Sequence, residues 1–169
     1  SKNKFKPNEI HYEMNNDLQQ TNPKGVYVTS IVGSYNSKTD IIELSNAGHL
    51  PALFKKGREF IEYDSSSMPL GVKKADNNKE YKLETIKLED GRLYCFTDGF
   101  SECRNEKGDE SGIDGVKNLI INYQNTSLKK ELSKIIKDVE SKSTKNKNFD
   151  NTNTDNILED DLTIIGLGK

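Results

Sequence analysis

The hydrophobic period alternates between strand and helix along this chain, and that alternation restricts its architecture more than any single motif does. From Gly25 to Thr97 the apolar residues come in short β-branched and aromatic runs. From Ile113 to Val139 they fall on helical stripes, and one strand-like run, Leu162 to Leu167, returns at the end. Antiparallel strands followed by a helical pair imply an α+β domain. Two of the runs carry an aspartate at the mouth: Leu93-Tyr-Cys-Phe-Thr ends at Asp98-Gly99, and Asp160-Asp161 opens Leu162 to Leu167. Laid side by side, two such strands would bring both carboxylates to one edge of a sheet. Oxygen ligands of that kind suit hard divalent cations.

The finer pattern gives the elements. Pro7 to Gln20 reads as a helix, with Pro7 at its first position and Ile10, Met14 and Leu18 recurring at i+4. His11 on that helix reads as an ordinary surface histidine. Gly25 to Tyr35 and Ile41 to Leu44 form a hairpin around Asn36 to Thr39, and Ala52 to Lys55 and Glu59 to Tyr63 form another around Lys56-Gly57. Asp64 to Asn78 is loop. Tyr81 to Leu88 alternates like a half-buried strand, and Glu89-Asp90-Gly91 turns it into Arg92 to Thr97. Ile113, Val116, Leu119, Ile120 and Tyr123 make one helical stripe. Leu128, Leu132, Ile135, Ile136 and Val139 make the next, with Ser127 as its N-cap. Residues 141–157, rich in Lys, Asn, Thr and Asp, read as a low-complexity mobile loop.

At 169 residues the chain is long enough for one domain with its own core. A net charge of -2 implies no general affinity for nucleic acid or for an acidic membrane. No apolar run approaches a membrane span and no signal-peptide pattern opens the chain, so this segment is expected to be cytoplasmic, with any membrane tether lying in other domains. Cys95 and Cys103 fit neither a zinc knuckle nor a redox pair and read as reduced thiols, Cys95 in the core.

Three places could carry chemistry, and each has a plainer reading beside it. Thr97-Asp98-Gly99 is either a turn after a strand or a ligand position whose glycine allows close backbone approach. Glu159-Asp160-Asp161 is either the acidic edge of a solvated loop or a cluster that needs a cation, since close carboxylates raise one another's pKa. In Asn46-Ala-Gly-His49, the imidazole of His49 either serves as ligand or acid, or bonds the backbone to hold a glycine turn. No nucleophile elbow and no phosphate-cradling glycine loop is present, which disfavours covalent catalysis and P-loop chemistry.

Taken in order, Ser45-Asn-Ala-Gly-His-Leu-Pro-Ala52, Pro69-Leu-Gly71, Leu93 to Asn105 and Asp160-Asp-Leu-Thr163 resemble the bacterial SpoIIE-like and RsbU-like branch of the PPM metal-dependent Ser/Thr protein phosphatases. The resemblance runs from about Pro7 to the end. It implies an antiparallel β-sandwich flanked by helices, with two Mn²⁺ or Mg²⁺ ions activating a water that attacks phosphoserine or phosphothreonine. Asp98 and Asp160 match metal ligands of that family. Thr97, Gly99, Asp161 and Thr163 match supporting positions, while Asn46, Gly48 and His49 match a motif read as shaping the sheet edge. The implied substrate is a phosphorylated bacterial signalling protein, an anti-sigma-factor antagonist of the STAS type.

The family's earlier Gly-Asp motif, whose aspartate bridges both metals, has no match in residues 1–24. The expectation is therefore one phosphatase domain over residues 1–169 that is N-terminally incomplete, lacks the first strands and is weakly active alone. The alternative is a non-catalytic module of the same fold that binds a phosphoprotein. An uncovered sheet edge would also leave room for a homodimer.

Overall fold

The computed structural model describes residues 5–21, 25–103, 110–124, 126–146 and 161–168. Among them are three α-helices and two antiparallel sheets, the α+β class expected. The chain divides into two compact units, Ser1–Pro51 with Glu62–Glu89, and Ala52–Ile61 with Asp90–Lys169.

The first unit holds helix α1 (Pro7–Thr21) and the sheet β1-β2-β5, from β1 (Ser30–Asn36), β2 (Ile41–Ala47) and β5 (Glu84–Lys87). The β1–β2 hairpin closes where expected, because the Asn36 side chain accepts from the backbone N–H groups of Lys38 and Thr39 and Asp40 takes a positive φ of 59°. The β1 strand is shorter than the run that announces it. Val28 is drawn off into an isolated antiparallel bridge with Leu70, exchanging both backbone bonds.

The reading of Tyr81 to Leu88 as one strand is also corrected. Tyr81 ends a 3-10 turn over Asn78–Glu80, and only Glu84–Lys87 pairs, with β2. Nor does Glu89-Asp90-Gly91 join paired strands, since β5 lies in this sheet and the next strand in the other. Asp40 fixes that end of β5: its carbonyl accepts from Leu88 N–H and its carboxylate from Glu89 N–H, tying it to the β1–β2 turn.

The face that α1 buries differs from the apolar one. Pro7, His11 and Asn15 are buried, whereas Met14 is exposed and Ile10 and Leu18 only half-buried. His11 is thus no surface histidine. It lies fully inside, between Ser45 and Ser30, against the ring of Tyr81. The reason is lateral displacement: its stripe sits one residue, about 100°, from the apolar one.

The second unit carries the sheet β4-β3-β6-β7, from β3 (Ala52–Lys56), β4 (Glu59–Tyr63), β6 (Arg92–Phe96) and β7 (Ile164–Gly168), with helices α2 (Gly112–Tyr123) and α3 (Leu128–Asn146). Helix α3 starts directly after Ser127, whose carbonyl accepts from Glu131 N–H. It packs on β7 at Gly166, where any Cβ would come within 2.9 Å of Leu128 Cδ1. Its buried face mixes Ile135 and Val139 with Glu131. Glu131 accepts from Tyr94 O–H at 2.6 Å and pairs with Arg92, which also donates to Thr126 C=O. The expected loop over 141–157 starts too early: α3 continues to Asn146, built from residues compatible with helix, and 147–157 lie outside the described residues.

Candidate functional site

Strand β6 sets the position of the acidic end of the second unit. It runs antiparallel to β7 in the register Phe96↔Ile164 and Cys95↔Ile165, so the end of one strand meets the beginning of the other. The pairing continues past both strands through Thr97. Its backbone N–H donates to Thr163 C=O at 3.0 Å, its hydroxyl donates to Asp161 C=O at 2.7 Å, and that hydroxyl accepts from Thr163 N–H at 3.0 Å. Threonine supplies a β-branched side chain for the extended backbone and a hydroxyl that donates and accepts at once. The residues beside Asp98 and Asp160, widely separated in sequence, are thereby locked together.

Asp98 follows Thr97 and opens a 3-10 turn over Asp98–Phe100. Its backbone carbonyl accepts from the N–H groups of Ser101 and Glu102, both at 2.8 Å. One carboxylate oxygen accepts from Gly99 N–H at 3.1 Å, and the side chain is otherwise exposed. Gly99 and Phe100 are buried beneath it. A rigid turn thus presents a carboxylate outward from a buried base, and no cation of the described residues pairs with it. That donor set suits a hard cation. Asp161 and Thr163 are exposed, while Asp160 lies outside the described residues. Among the described residues no group of three or more His, Cys, Asp or Glu is arranged to hold a metal.

Asn46, Gly48 and His49 belong to the first unit, where their contacts are architectural. The Asn46 amide donates towards the carbonyls of His49, Leu50 and Tyr63 at 3.2, 3.1 and 3.4 Å, and its oxygen accepts from His49 N–H at 2.9 Å. Gly48 has φ +70°, and a Cβ there would lie 2.3 Å from Pro69 Cγ. Both facts demand glycine, one by backbone conformation and one by space. His49 Nδ1 lies 3.3 Å from Leu50 C=O, consistent with a ring that steadies the turn.

Sequence reasoning missed the polar groups that anchor these pieces. Asn15 accepts from Gly71 N–H at 2.9 Å and donates to Lys73 C=O at 3.1 Å, and Gln19 donates to Gly71 C=O at 2.5 Å. The recurrence of His11, Asn15 and Gln19 at i+4 was the available signal, but polar side chains at helical spacing ordinarily mean a solvated face. Burial holds the His11 imidazole well below its usual range, at about 4, so the ring is neutral and acts as donor to one serine and acceptor from the other. Glu131 was missed for the same reason. Burial, then the bond to Glu131, drives the Tyr94 phenol far above its ordinary range. Burial likewise pushes the Cys95 thiol up to about 11, which makes it a poor nucleophile at neutral pH.

Comparison with known proteins gives the family and the fold. The family model for stage II sporulation protein E (SpoIIE) matches residues 1–168. A search of curated proteins gives no significant match. Among solved structures, the SiaA-PP2C domain of Pseudomonas aeruginosa is 14% identical with a TM-score of 0.75, over 97% of this chain and 60% of that one. The SpoIIE phosphatase domain of Bacillus subtilis, presoaked with Mn, is 13% identical with a TM-score of 0.63, over 99% of this chain and 67% of that one. A Mycobacterium tuberculosis protein with RsbU and RsbW domains is 17% identical with a TM-score of 0.60, over 90% of this chain and 38% of that one. This chain thus spans well under two thirds of some of the structures it matches. Likeness at these identities speaks to the fold, which is that of PP2C-type phosphatase domains. With the family model spanning nearly its full length, the chain belongs to the SpoIIE family.

Proposed function

We propose that residues 1–169 belong to one metal-dependent protein phosphatase domain that hydrolyses phosphoserine or phosphothreonine on a bacterial signalling protein. In this reading the substrate is an anti-sigma-factor antagonist of the STAS type. The observation that carries the proposal is the β6–β7 register continued by Thr97, which fastens the chain at 161 and 163 to the residue before Asp98. Asp98 and Asp160 are then the residues to hold Mn²⁺ or Mg²⁺, with Thr97, Gly99, Asp161 and Thr163 fixing the backbone around them. A divalent pair at such a site lowers the pKa of bound water and offsets charge on a transferring phosphoryl group. The protein's own part is positioning: Thr97 holds two strand ends together, and the turn at Asp98–Phe100 points one carboxylate outward on a buried base.

Two carboxylates are a sparse ligand set, so binding by this segment should be weak and its turnover slight. Calorimetric titration with Mn²⁺ tests the assignment. Wild type should give a weak isotherm that Asp98→Asn and Asp160→Asn each abolish. Asp98→Asn should keep its stability to within about 0.5 kcal/mol, as expected for an exposed position. Unchanged heats in the two variants would overturn the reading.

A further inference from the structure

The buried side of α1 is polar where a surface helix ordinarily turns an apolar stripe inward. His11 and Asn15, one turn apart, are both fully buried. His11 grips Ser45 of β2, the residue before Asn46, and Ser30 of β1, while Asn15 takes one backbone donor and one backbone acceptor from the segment after Pro69. The two gripped segments also meet each other. Gly48 lies against Pro69, Ala47 bridges Ser67, and Ser65 Oγ accepts from Gly48 N–H at 2.6 Å. Leu70 shares a small core with Ala47, Ala75 and Tyr81, to which Tyr12 and Leu18 of α1 add. All of these residues lie within the first unit.

We propose that α1 is a positioning strap that holds the Asn46–His49 turn and the Pro69–Lys73 loop in one fixed arrangement, with His11 and Asn15 as its positioning residues. Apolar packing alone tolerates sliding. A buried imidazole and a buried amide do not, because only one setting of the helix satisfies both. The ladders of β1, β2 and β5 run through backbone bonds that need no side chain of α1, so they persist when the strap is loosened.

Amide hydrogen exchange by NMR on the 169-residue chain tests it, because the proposal requires effects that cross from one grip to the other. In Asn15→Ala, exchange should quicken at Gly48 and His49, which Asn15 does not touch. In His11→Leu, it should quicken at Leu70 and Gly71, which His11 does not touch. The expected acceleration is about tenfold, the size of one lost net hydrogen bond. Exchange at Ile42 and Ile86 in the sheet should stay within about twofold of wild type, since those amides report only on deeper opening. Asn15→Gln keeps both amide functions but displaces them by one methylene, and should show the same pattern at smaller size should the alanine variant not fold. Acceleration confined to the directly bonded amides, or equal acceleration at Ile42 and Ile86, would overturn the proposal.

Discussion

Helices α1 and α3 are both fastened by polar groups on their buried faces, yet by different physics. Helix α1 uses neutral partners: an imidazole between two serine hydroxyls and an amide on two backbone groups. Helix α3 uses a charge: the fully buried Glu131 takes the Arg92 guanidinium and the Tyr94 hydroxyl. The neutral grip is directional but costs little to release into water. The charged grip cannot be half-broken, because an unpaired ion in the interior is far more costly than an unpaired amide. Helix α3 should therefore come away only with global unfolding, whereas α1 can loosen on its own.

The largest effect tests the charged grip. Glu131→Ala leaves the partly buried Arg92 without its carboxylate and is expected to cost about 3–5 kcal/mol, read from the urea midpoint. A cost under about 1 kcal/mol would mean that Arg92 relaxes to water and that the two helices are held alike. Next comes the neutral grip. Asn15→Ala strands Gly71 N–H and Lys73 C=O, and should cost about 1–3 kcal/mol in the same measurement. A value above that of Glu131→Ala would reverse the contrast.

The last test is the dependence on pH, whose effect over the half unit below pH 6.5 is smaller than either substitution's. Well above pH 6.5 the His11 ring is neutral folded or unfolded and contributes nothing. As the pH falls towards about 4, the unfolded chain takes up a proton that the folded chain excludes, so stability drops across that window. The decline should approach, without reaching, tenfold per pH unit in the folding constant. The ring of Tyr81 faces the same region. His11→Gln serves as the reference, with a flatter profile between pH 6.5 and 5. Identical profiles would show that His11 is not excluded from protonation.

Much of this was legible in the residues. Strand runs, helical stripes and the four ordered motifs predicted an α+β fold of the PPM type, and family and fold comparisons agree. Period-2 and period-3.6 patterns reveal which elements form because they are local properties of the chain. What they miss is pairing. The Tyr81–Leu88 run alternates like a strand throughout, but only Glu84–Lys87 finds a partner, in β2.

By itself, then, the sequence determined the class and most of the elements. Glycine at 48 and threonine at 97 were also visible as motif members, although not why they are needed. Only the tertiary structure decided that His11, Asn15 and Glu131 are interior groups, and that Thr97 reaches 64 residues along the chain to Asp161. The physical reason is the same in each case. A polar side chain carries no periodic signal of burial, since whether it faces water or a partner depends on atoms distant in sequence that the fold alone brings near.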